Sequence, residues 1–238
     1  MKPIRFHSWN VSPDEASAIQ LNLRDKVVIK PLLDDIRLVA GTSIIIDPGA
    51  ETIHATFVVL RFPALELVER HGISEKILFP YVRGLLAFRE GPSIMKLMKR
   101  VVHKPDVVLF HSHGLAHPRR FGLATHLGVL FDIPSIGVAD RVLIGTHDYI
   151  DSEKGHHAPL MYNGDEIGLV LRTKSDVNPV VISVGHKVDL FTTMEFTLES
   201  VTGYRQPEPI RQAHLAAIAQ GNGEEIDIDV GGNQTSLF

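Results

Sequence analysis

Several side chains that can carry proton, metal or phosphate chemistry follow a short apolar run in the middle of the chain. Directly after this run come His111, His113, His117, Arg119 and Arg120. Polar residues at the carboxyl end of a buried strand are typical of ligand sites in open α/β sheets. Imidazoles exchange protons near neutral pH and bind metal ions, and guanidinium groups pair with phosphate. The pattern therefore predicts a functional site here, with Arg119 and Arg120 as phosphate contacts.

Two groups of predicted elements must position these side chains. The first is a helix from Ser12 to about Lys26, in which Ser12 and Glu15 have capping-box spacing, followed by three strands that form an antiparallel meander. The second group, after a loop and helix within residues 78–105, alternates strands and helices. This order predicts an α/β protein with a mixed sheet, an antiparallel meander and then parallel strands, and helices on both faces.

The predicted bounds follow from apolar runs and turn residues. Asn163-Gly164 between strand-like flanks is a strong hairpin signal. Strands are predicted at Leu38–Ile46, Thr52–Phe62, Leu65–His71, Asp106–Phe110, Ile133–Asp140, on both sides of the hairpin turn in Met161–Thr173, and at Pro179–Gly185; helices are predicted at Phe121–Leu130, Val188–Ser200 and Pro209–Gln220.

Length and composition limit the class of protein. The 238 residues are 44% hydrophobic and 22% charged, which suits one large globular domain. No apolar run is long enough for a transmembrane helix, and the first residues lack a signal-peptide pattern. The absence of cysteine excludes disulfides and thiol chemistry, so we expect a cytoplasmic protein. A net charge of −4 disfavours non-specific nucleic-acid binding, although a local basic patch can act alone.

The residues after position 220 differ in composition from the rest. We predict a domain over residues 1–220 and a flexible, acidic and Gly-rich tail over 221–238. Its last five residues, "QTSLF", resemble the bacterial sliding-clamp-binding pentapeptide Gln-x-x-Leu-Phe. Gln234, Leu237 and Phe238 either bind a clamp or belong to a terminus without function.

Five further stretches, in order within residues 5–218, together resemble the endonuclease V family. They are "VAGTS" (Val39–Ser43), "FPYVRGLLAFREGP" (Phe79–Pro92), "GLAHPRRFGLATHLG" (Gly114–Gly128), "IPSIGVA" (Ile133–Ala139) and "RQPEPIRQAH" (Arg205–His214). The resemblance implies a ribonuclease-H-like fold. It also implies binding of DNA or RNA that contains deaminated adenine (hypoxanthine), and cleavage just past that base with Mg²⁺ or Mn²⁺.

The resemblance further implies a wedge that enters the base stack and a pocket for the extruded base. A tyrosine suits the wedge because its ring replaces lost stacking, worth ~1–3 kcal/mol per base. The family wedge commonly has a second proline where this chain has Arg83. By resemblance, the wedge is Pro80, Tyr81, Val82 and Arg83, and the pocket is lined by Gly84, Leu86, Gly114, Gly122 and Gly137.

The acidic cluster that the resemblance implies is mostly replaced in this chain. Ser43 and His111 stand where the family has aspartates, and Asp140 stands where it has a lysine; the matched residues are Glu90, His117 and His214. Mg²⁺ prefers oxygen ligands that include carboxylates. Two of three anionic anchors are gone, so we expect metal-assisted hydrolysis to be lost or weak.

Two repairs of this site are conceivable. Asp47 and Asp106 are poorly placed, because Asp47 lies four residues from Ser43 along an extended strand and Asp106 faces the side opposite His111. A second repair is a Zn²⁺ or Mn²⁺ site built from histidine and glutamate. Its candidate ligands are Glu90, His111, His113 and His214; alternatively, the histidines fill polar space without a metal.

Three functions remain open from the sequence. The first, which we favour, is a nucleic-acid-binding protein that recognises hypoxanthine or a distorted site, has lost most cleavage and needs no cofactor. The second is an active nuclease that uses Mg²⁺, Mn²⁺ or a rebuilt His/Glu metal site. The third is a protein-interaction scaffold on the same fold.

Overall fold

The computed structural model describes residues 1–32 and 35–230, which contain a nine-stranded mixed sheet with helices on both faces. None of the helices in these two ranges is long and apolar enough to cross a membrane. The strands are β1 (Leu38–Asp47), β2 (Thr52–Arg61), β3 (Glu66–Lys76), β4 (Val107–Phe110), β5 (Ser135–Ala139), β6 (His157–Tyr162), β7 (Asp165–Leu171), β8 (Val180–His186) and β9 (Ile228–Asp229). The helices are α1 (Pro13–Arg24), α2 (Leu86–Arg100), α3 (Leu123–Phe131), α4 (Leu190–Glu199) and α5 (Glu208–Gly221).

The strand order is β6-β7-β8-β5-β4-β1-β2-β3-β9. The predicted meander β1–β2–β3 is confirmed, and β1, β4 and β5 are parallel neighbours. One detail of the prediction is wrong, since β8 pairs antiparallel with β5 and with β7. The chain reverses here through the predicted hairpin, in which Asn163 and Gly164 both have positive φ, as a tight β6–β7 turn requires.

Alternating side chains of the central strands form two apolar cores, one on each face of the sheet. In β1, Val39 faces one core and Ala40 the other; in β4, Leu109 and Phe110 do the same. Helices α1, α2 and α3 cover the first core, and α4 and α5 cover the second. The parallel strands β1, β4 and β5 are therefore buried between two layers of helices, and their carboxyl ends lie at the same edge of the sheet.

The local signals at helix ends are partly confirmed. Ser12 caps α1, since its Oγ accepts from Glu15 N at 3.3 Å and its own N–H donates to Glu15 Oε2 at 2.8 Å. The predicted loop and helix within residues 78–105 are present, and Gly91 and Pro92 lie inside the helix α2.

The segment after α5 packs on the domain further than the predicted boundary at residue 220. Ile226 is buried beside Gly72, and Ile228–Asp229 pairs with β3. Val230 also contacts the domain, since its N–H donates to Val68 O. The predicted clamp residues Gln234, Leu237 and Phe238 lie outside the described residues.

Candidate functional site

The register of the parallel strands brings the candidate catalytic residues together. Thr42 of β1 is paired with Phe110 of β4, so the residues that follow, Ser43 and His111, lie side by side. Asp140 comes directly after β5, the other neighbour of β4. From β2, Thr56 Oγ1 donates to Ala213 O at 2.6 Å and holds α5 against the sheet. His214 therefore lies next to Ser43.

A chain of hydrogen bonds joins these four side chains. His111 Nε2 is 2.8 Å from Asp140 Oδ2, and His111 Nδ1 is 3.5 Å from Ser43 Oγ. Ser43 Oγ is in turn 3.3 Å from His214 Nδ1. Burial, and then His111, lower the pKa of His214, while Asp140 opposes the shift. The His214 imidazole is therefore neutral at pH 7.

Asp140 is saturated by donors. Besides His111, its carboxylate accepts from the Arg205 guanidinium, and from Gln206 Nε2 at 2.7 Å. The hydrogen bond from His111 outweighs burial and, with Arg205, holds the pKa of Asp140 well below its usual range. Arg205 is fixed by Pro179 O at 2.8 Å and Asn178 O at 2.7 Å. The carboxylate is charged but already paired.

Glu90, the retained acid, has a different environment. It is the fifth residue of α2 and is partly buried. Burial raises the pKa of Glu90 to about 8, against the opposing charge of Arg89. Its carboxyl group is therefore mainly protonated at neutral pH.

The donor set does not fit the divalent ion that the family implies. Within residues 1–32 and 35–230, no three His, Asp or Glu side chains form a group that could hold a metal ion. His113 does not join the other candidate ligands, because its Nε2 is hydrogen-bonded to Arg141 O at 2.9 Å. The predicted site of Glu90, His111, His113 and His214 is therefore not assembled. The oxygens of Asp140 are occupied by cationic and amide donors, which a hard cation cannot displace cheaply.

A cavity of about 190 Å³ lies beside this cluster, at the base of the predicted wedge. Tyr81 is 76% exposed. Phe79, two residues earlier, is buried, and its backbone carbonyl accepts a hydrogen bond from Arg89 Nη1 at 2.8 Å. Arg83 Nη2 donates to Leu143 O at 2.6 Å and ties the wedge to the loop after β5. An exposed ring is thus held on a braced loop. The cavity is lined by Gln20, Tyr81, Val82, Arg83, Gly84, Leu86, Ala87, His113, His117, Gly122, Leu123 and Leu143.

Gly84 connects the predicted wedge to α2. Its φ of 81° belongs to the left-handed region, where a side chain is strained. The Gly84 carbonyl accepts from Arg119 Nη2 at 2.7 Å, His117 Nε2 at 2.9 Å and Gln20 Nε2 at 3.2 Å. Three donors from two segments, α1 and the loop after β4, thus fix the cavity wall.

His117 is a wall residue and is not assembled with the catalytic cluster. Its Nδ1 accepts from Arg119 N at 3.2 Å while Nε2 contacts Gly84 O. Burial, then Arg119, lower the pKa of His117 to about 4. It is neutral, with both ring nitrogens used.

Two of the predicted pocket glycines do not line the cavity. Gly114 and Gly137 lie behind it, where a Cβ on Gly137 would come 2.4 Å from Gly114 N, and one on Gly114 would come 2.1 Å from Val184 O. Both positions require glycine because neighbouring backbone segments approach too closely for a side chain. Gly84, Leu86 and Gly122 line the cavity.

The predicted phosphate contacts are turned into the protein. Arg119 Nε donates to Gln20 Oε1 at 2.6 Å. Arg120 Nη2 donates to Tyr162 O and to Asp165 Oδ2, both at 3.0 Å. Both guanidinium groups therefore brace the loop after β4, and the structure does not present them to a phosphate.

Sequence reasoning assigned no role to three residues of this region. Gln20 is fully buried on α1, and Arg205 and Gln206 hold Asp140. A buried amide on an amphipathic helix cannot be recognised from spacing alone. Arg205 and Gln206 belong to a stretch that carries the family resemblance, which was the available signal.

The strand order and the cleft at the carboxyl ends of β1, β4 and β5 define a ribonuclease-H-like α/β protein. Residues 21–215 match the family described as Endonuclease V. A protein named Endonuclease V from Rippkaea orientalis is 40% identical over 211 residues, which are 89% of this chain and 92% of the relative. The chain belongs to the endonuclease V family.

Solved structures agree with this assignment. Endonuclease V from Streptomyces avermitilis superposes with a TM-score of 0.85 at 36% identity, over 91% of this chain and 96% of the other. Endonuclease V from Ciona intestinalis was solved in complex with a 24mer DNA containing an inosine followed by a ribo-adenosine. It superposes with a TM-score of 0.78 at 25% identity, over 88% of this chain and 98% of the other.

Proposed function

We propose that this chain binds DNA or RNA that carries a deaminated purine such as hypoxanthine, or a distorted base pair. In this proposal, metal-dependent cleavage of the phosphodiester is lost or strongly reduced. The observation that carries it is the contrast between an exposed Tyr81 beside an open cavity and an Asp140 carboxylate that is saturated by His111, Arg205 and Gln206.

The binding half of the proposal is supported by the wedge and the cavity. An aromatic ring on a braced loop offers a stacking face where a base leaves the helix, and the adjacent cavity receives that base. Backbone and side-chain groups around Gly84 are fixed by three hydrogen bonds, so the cavity is preformed. The complex of the Ciona intestinalis relative with inosine-containing DNA supports the same ligand class.

The loss of metal-dependent cleavage is supported by the donor set. Mg²⁺ and Mn²⁺ need several oxygen ligands, and metal-assisted hydrolysis needs the ion close to phosphate and water. Ser43 and His111 supply a hydroxyl and an imidazole where the family resemblance implies carboxylates. Asp140 is already hydrogen-bonded to the His111 imidazole and the Arg205 guanidinium.

Binding and cleavage are tested separately. Fluorescence anisotropy compares an oligonucleotide that contains one inosine with the matched guanosine control. Tyr81→Ala should weaken binding by ~1–3 kcal/mol, and Tyr81→Phe should retain it, since stacking needs only the ring. Equal binding of both oligonucleotides, or no effect of Tyr81→Ala, contradicts the proposed recognition and leaves the scaffold function.

A second candidate is an active metal-dependent endonuclease, which is favoured by the names of the relatives. Incubation of the inosine oligonucleotide with Mg²⁺ or Mn²⁺ distinguishes it. The proposal expects little or no cleavage; rapid cleavage that Glu90→Gln abolishes establishes this second candidate.

We also propose that the C-terminal residues Gln234, Leu237 and Phe238 bind a bacterial sliding clamp. A glutamine and an adjacent Leu-Phe pair can fill a polar and an apolar subsite. Calorimetry with a purified clamp should detect binding that Leu237→Ala or Phe238→Ala removes and that Thr235→Ala leaves unchanged. Absence of binding by the unaltered chain contradicts this part of the proposal.

A further inference from the structure

The four-residue chain Asp140–His111–Ser43–His214 has a defined direction of hydrogen bonding. The Asp140 carboxylate is ionised and can only accept, so His111 Nε2 carries a proton. In the neutral His111 imidazole, Nδ1 is then an acceptor, and the Ser43 hydroxyl donates to it over 3.5 Å. The single hydroxyl proton is used, so Ser43 Oγ accepts from His214 Nδ1–H over 3.3 Å.

This assignment leaves His214 Nε2 as an unprotonated nitrogen at one end of the series of hydrogen bonds. Its residue is exposed on α5, and no hydrogen-bond partner of Nε2 occurs among residues 1–32 and 35–230. The opposite end of this series of hydrogen bonds is the Asp140 carboxylate. A proton taken up at His214 Nε2 can pass through Ser43 to His111, where the Asp140 carboxylate stabilises the imidazolium. That arrangement describes a general base supported by an ionised acid.

We propose that His214 Nε2 is a general base that removes the proton of a ribose 2′-hydroxyl, so that the site cleaves RNA without a metal ion. The inference rests on the proposed function, because the strand must be held by the wedge and cavity. His113 lines the cavity and lies two residues from His111, at most ~7 Å along the chain. In this proposal the strand next to a bound hypoxanthine lies beside His111 and His214, whose ring centroids are 6.2 Å apart.

The reaction is a transesterification that needs no co-reactant. The 2′-oxygen forms a bond to the adjacent phosphorus, and the bond from phosphorus to the 5′-oxygen breaks. The proton of the 2′-hydroxyl goes to His214 Nε2 and returns from there to the 5′-oxygen. The products are a 2′,3′-cyclic phosphate and a 5′-hydroxyl end. DNA lacks the nucleophile and is bound without cleavage by this route.

Ser43 itself is a poor nucleophile in this arrangement. It is only 1% exposed, so a substrate phosphorus cannot reach its hydroxyl. Ser43 and Asp140 are positioning residues that fix the proton on His214 Nδ1, and His214 is the catalytic residue. The two imidazole rings are nearly perpendicular with centroids 6.2 Å apart, and His214 is exposed.

The test uses an RNA with one inosine, incubated with the full chain in EDTA. We expect slow cleavage near the inosine that gives cyclic-phosphate and 5′-hydroxyl ends. Removal of a general base typically costs 10²–10⁴-fold, so His214→Ala should lose at least about 100-fold in rate. The control His147→Ala, which removes an exposed histidine, should cleave like the unaltered chain. A 2′-O-methyl group on the nucleotide that supplies the attacking oxygen should block the reaction.

A second measurement needs no substrate. Nitrogen-15 NMR of the free protein should report a proton on His214 Nδ1, and Ser43→Ala should remove that preference, whereas Ser43→Thr, which keeps a hydroxyl, should restore it. The inference alone is overturned if RNA binds but stays intact in EDTA, if His214→Ala cleaves like the unaltered chain, if 5′-phosphate ends form, or if His214 carries its proton on Nε2. Absence of binding to both inosine RNA and inosine DNA overturns the proposed function as well.

Discussion

His111 Nε2 and Asp140 Oδ2 lie 2.8 Å apart, and in this contact the acid follows β5, not β4 as the family resemblance implies. The resemblance implies an aspartate after β4 and a lysine after β5. In this chain an imidazole follows β4 and a carboxylate follows β5. Their hydrogen bond joins the two strand ends, and the residue after β4 offers a nitrogen where the resemblance implies a carboxylate oxygen.

The His111–Asp140 pair should behave as one unit in a double-mutant cycle. His111→Asp places two carboxylates together and removes a donor from Asp140, so it should lower the free energy of unfolding by about 1–3 kcal/mol. Adding Asp140→Lys should recover most of this loss, with a coupling energy of about 0.5–3 kcal/mol. Urea denaturation of the single and double variants measures both values. Additive effects of the two substitutions would show that the contact has no energetic weight.

Metal-dependent cleavage should return when the implied carboxylates are restored. We expect Ser43→Asp, His111→Asp and Asp140→Lys together to nick an inosine oligonucleotide with Mg²⁺, because the ion regains two charged oxygen ligands. Adding Glu90→Gln to this triple variant should abolish the nicking. Gel electrophoresis of labelled DNA measures the cleavage; a triple variant that folds and binds but remains inactive would contradict the expectation.

Gln20 should be required for a preformed cavity. Gln20→Leu removes hydrogen bonds to Gly84 O, Phe121 O and Arg119 Nε. Each buried group left unpaired costs about 1–3 kcal/mol, so the melting temperature and the affinity for the inosine oligonucleotide should both fall. Asn22→Ala, an exposed change on the same helix, should alter stability by less than about 0.5 kcal/mol. Equal effects of the two variants would exclude this role.

Stability should fall as the pH drops below about 6.5, because buried histidines are neutral in the folded chain. Burial, then neighbouring positive groups, lower the pKa of His117 to about 4 and hold that of His126 well below 6.5. The unfolded chain therefore binds more protons in the window from about 6.5 to 4, and stability is lost through it. For His117, this loss amounts to about 1.5 kcal/mol between pH 6.5 and 5.

Glu90 acts in the opposite direction, since its raised pKa makes the folded chain bind the extra proton up to about pH 8. The measurement is therefore urea denaturation across this pH range in a Glu90→Gln background. Replacing His126, which stacks on Trp9, by Phe should reduce the slope. Stability that stays constant or rises on acidification would contradict the prediction.

Much of the fold could be predicted from local pattern. The Ser12 cap, the meander and the Asn163-Gly164 turn are signals within a few residues, and the structure confirms each. The pairing of β8 with β5 and the packing of Ile226 on β3 were missed. Both depend on contacts between residues far apart in the chain, which periodicity does not report.

By itself, the sequence determined which chemical groups are available: a hydroxyl and an imidazole where the resemblance implies carboxylates, an acid at Asp140, and a tyrosine at position 81 of the predicted wedge. Only the tertiary structure decided how these groups are paired. It turned Arg119 and Arg120 inward, saturated Asp140 with Arg205 and Gln206, and linked Ser43 to two imidazoles. The physical reason is that the direction and occupancy of a hydrogen bond depend on distances between strands and helices, and the register of packed elements sets these distances.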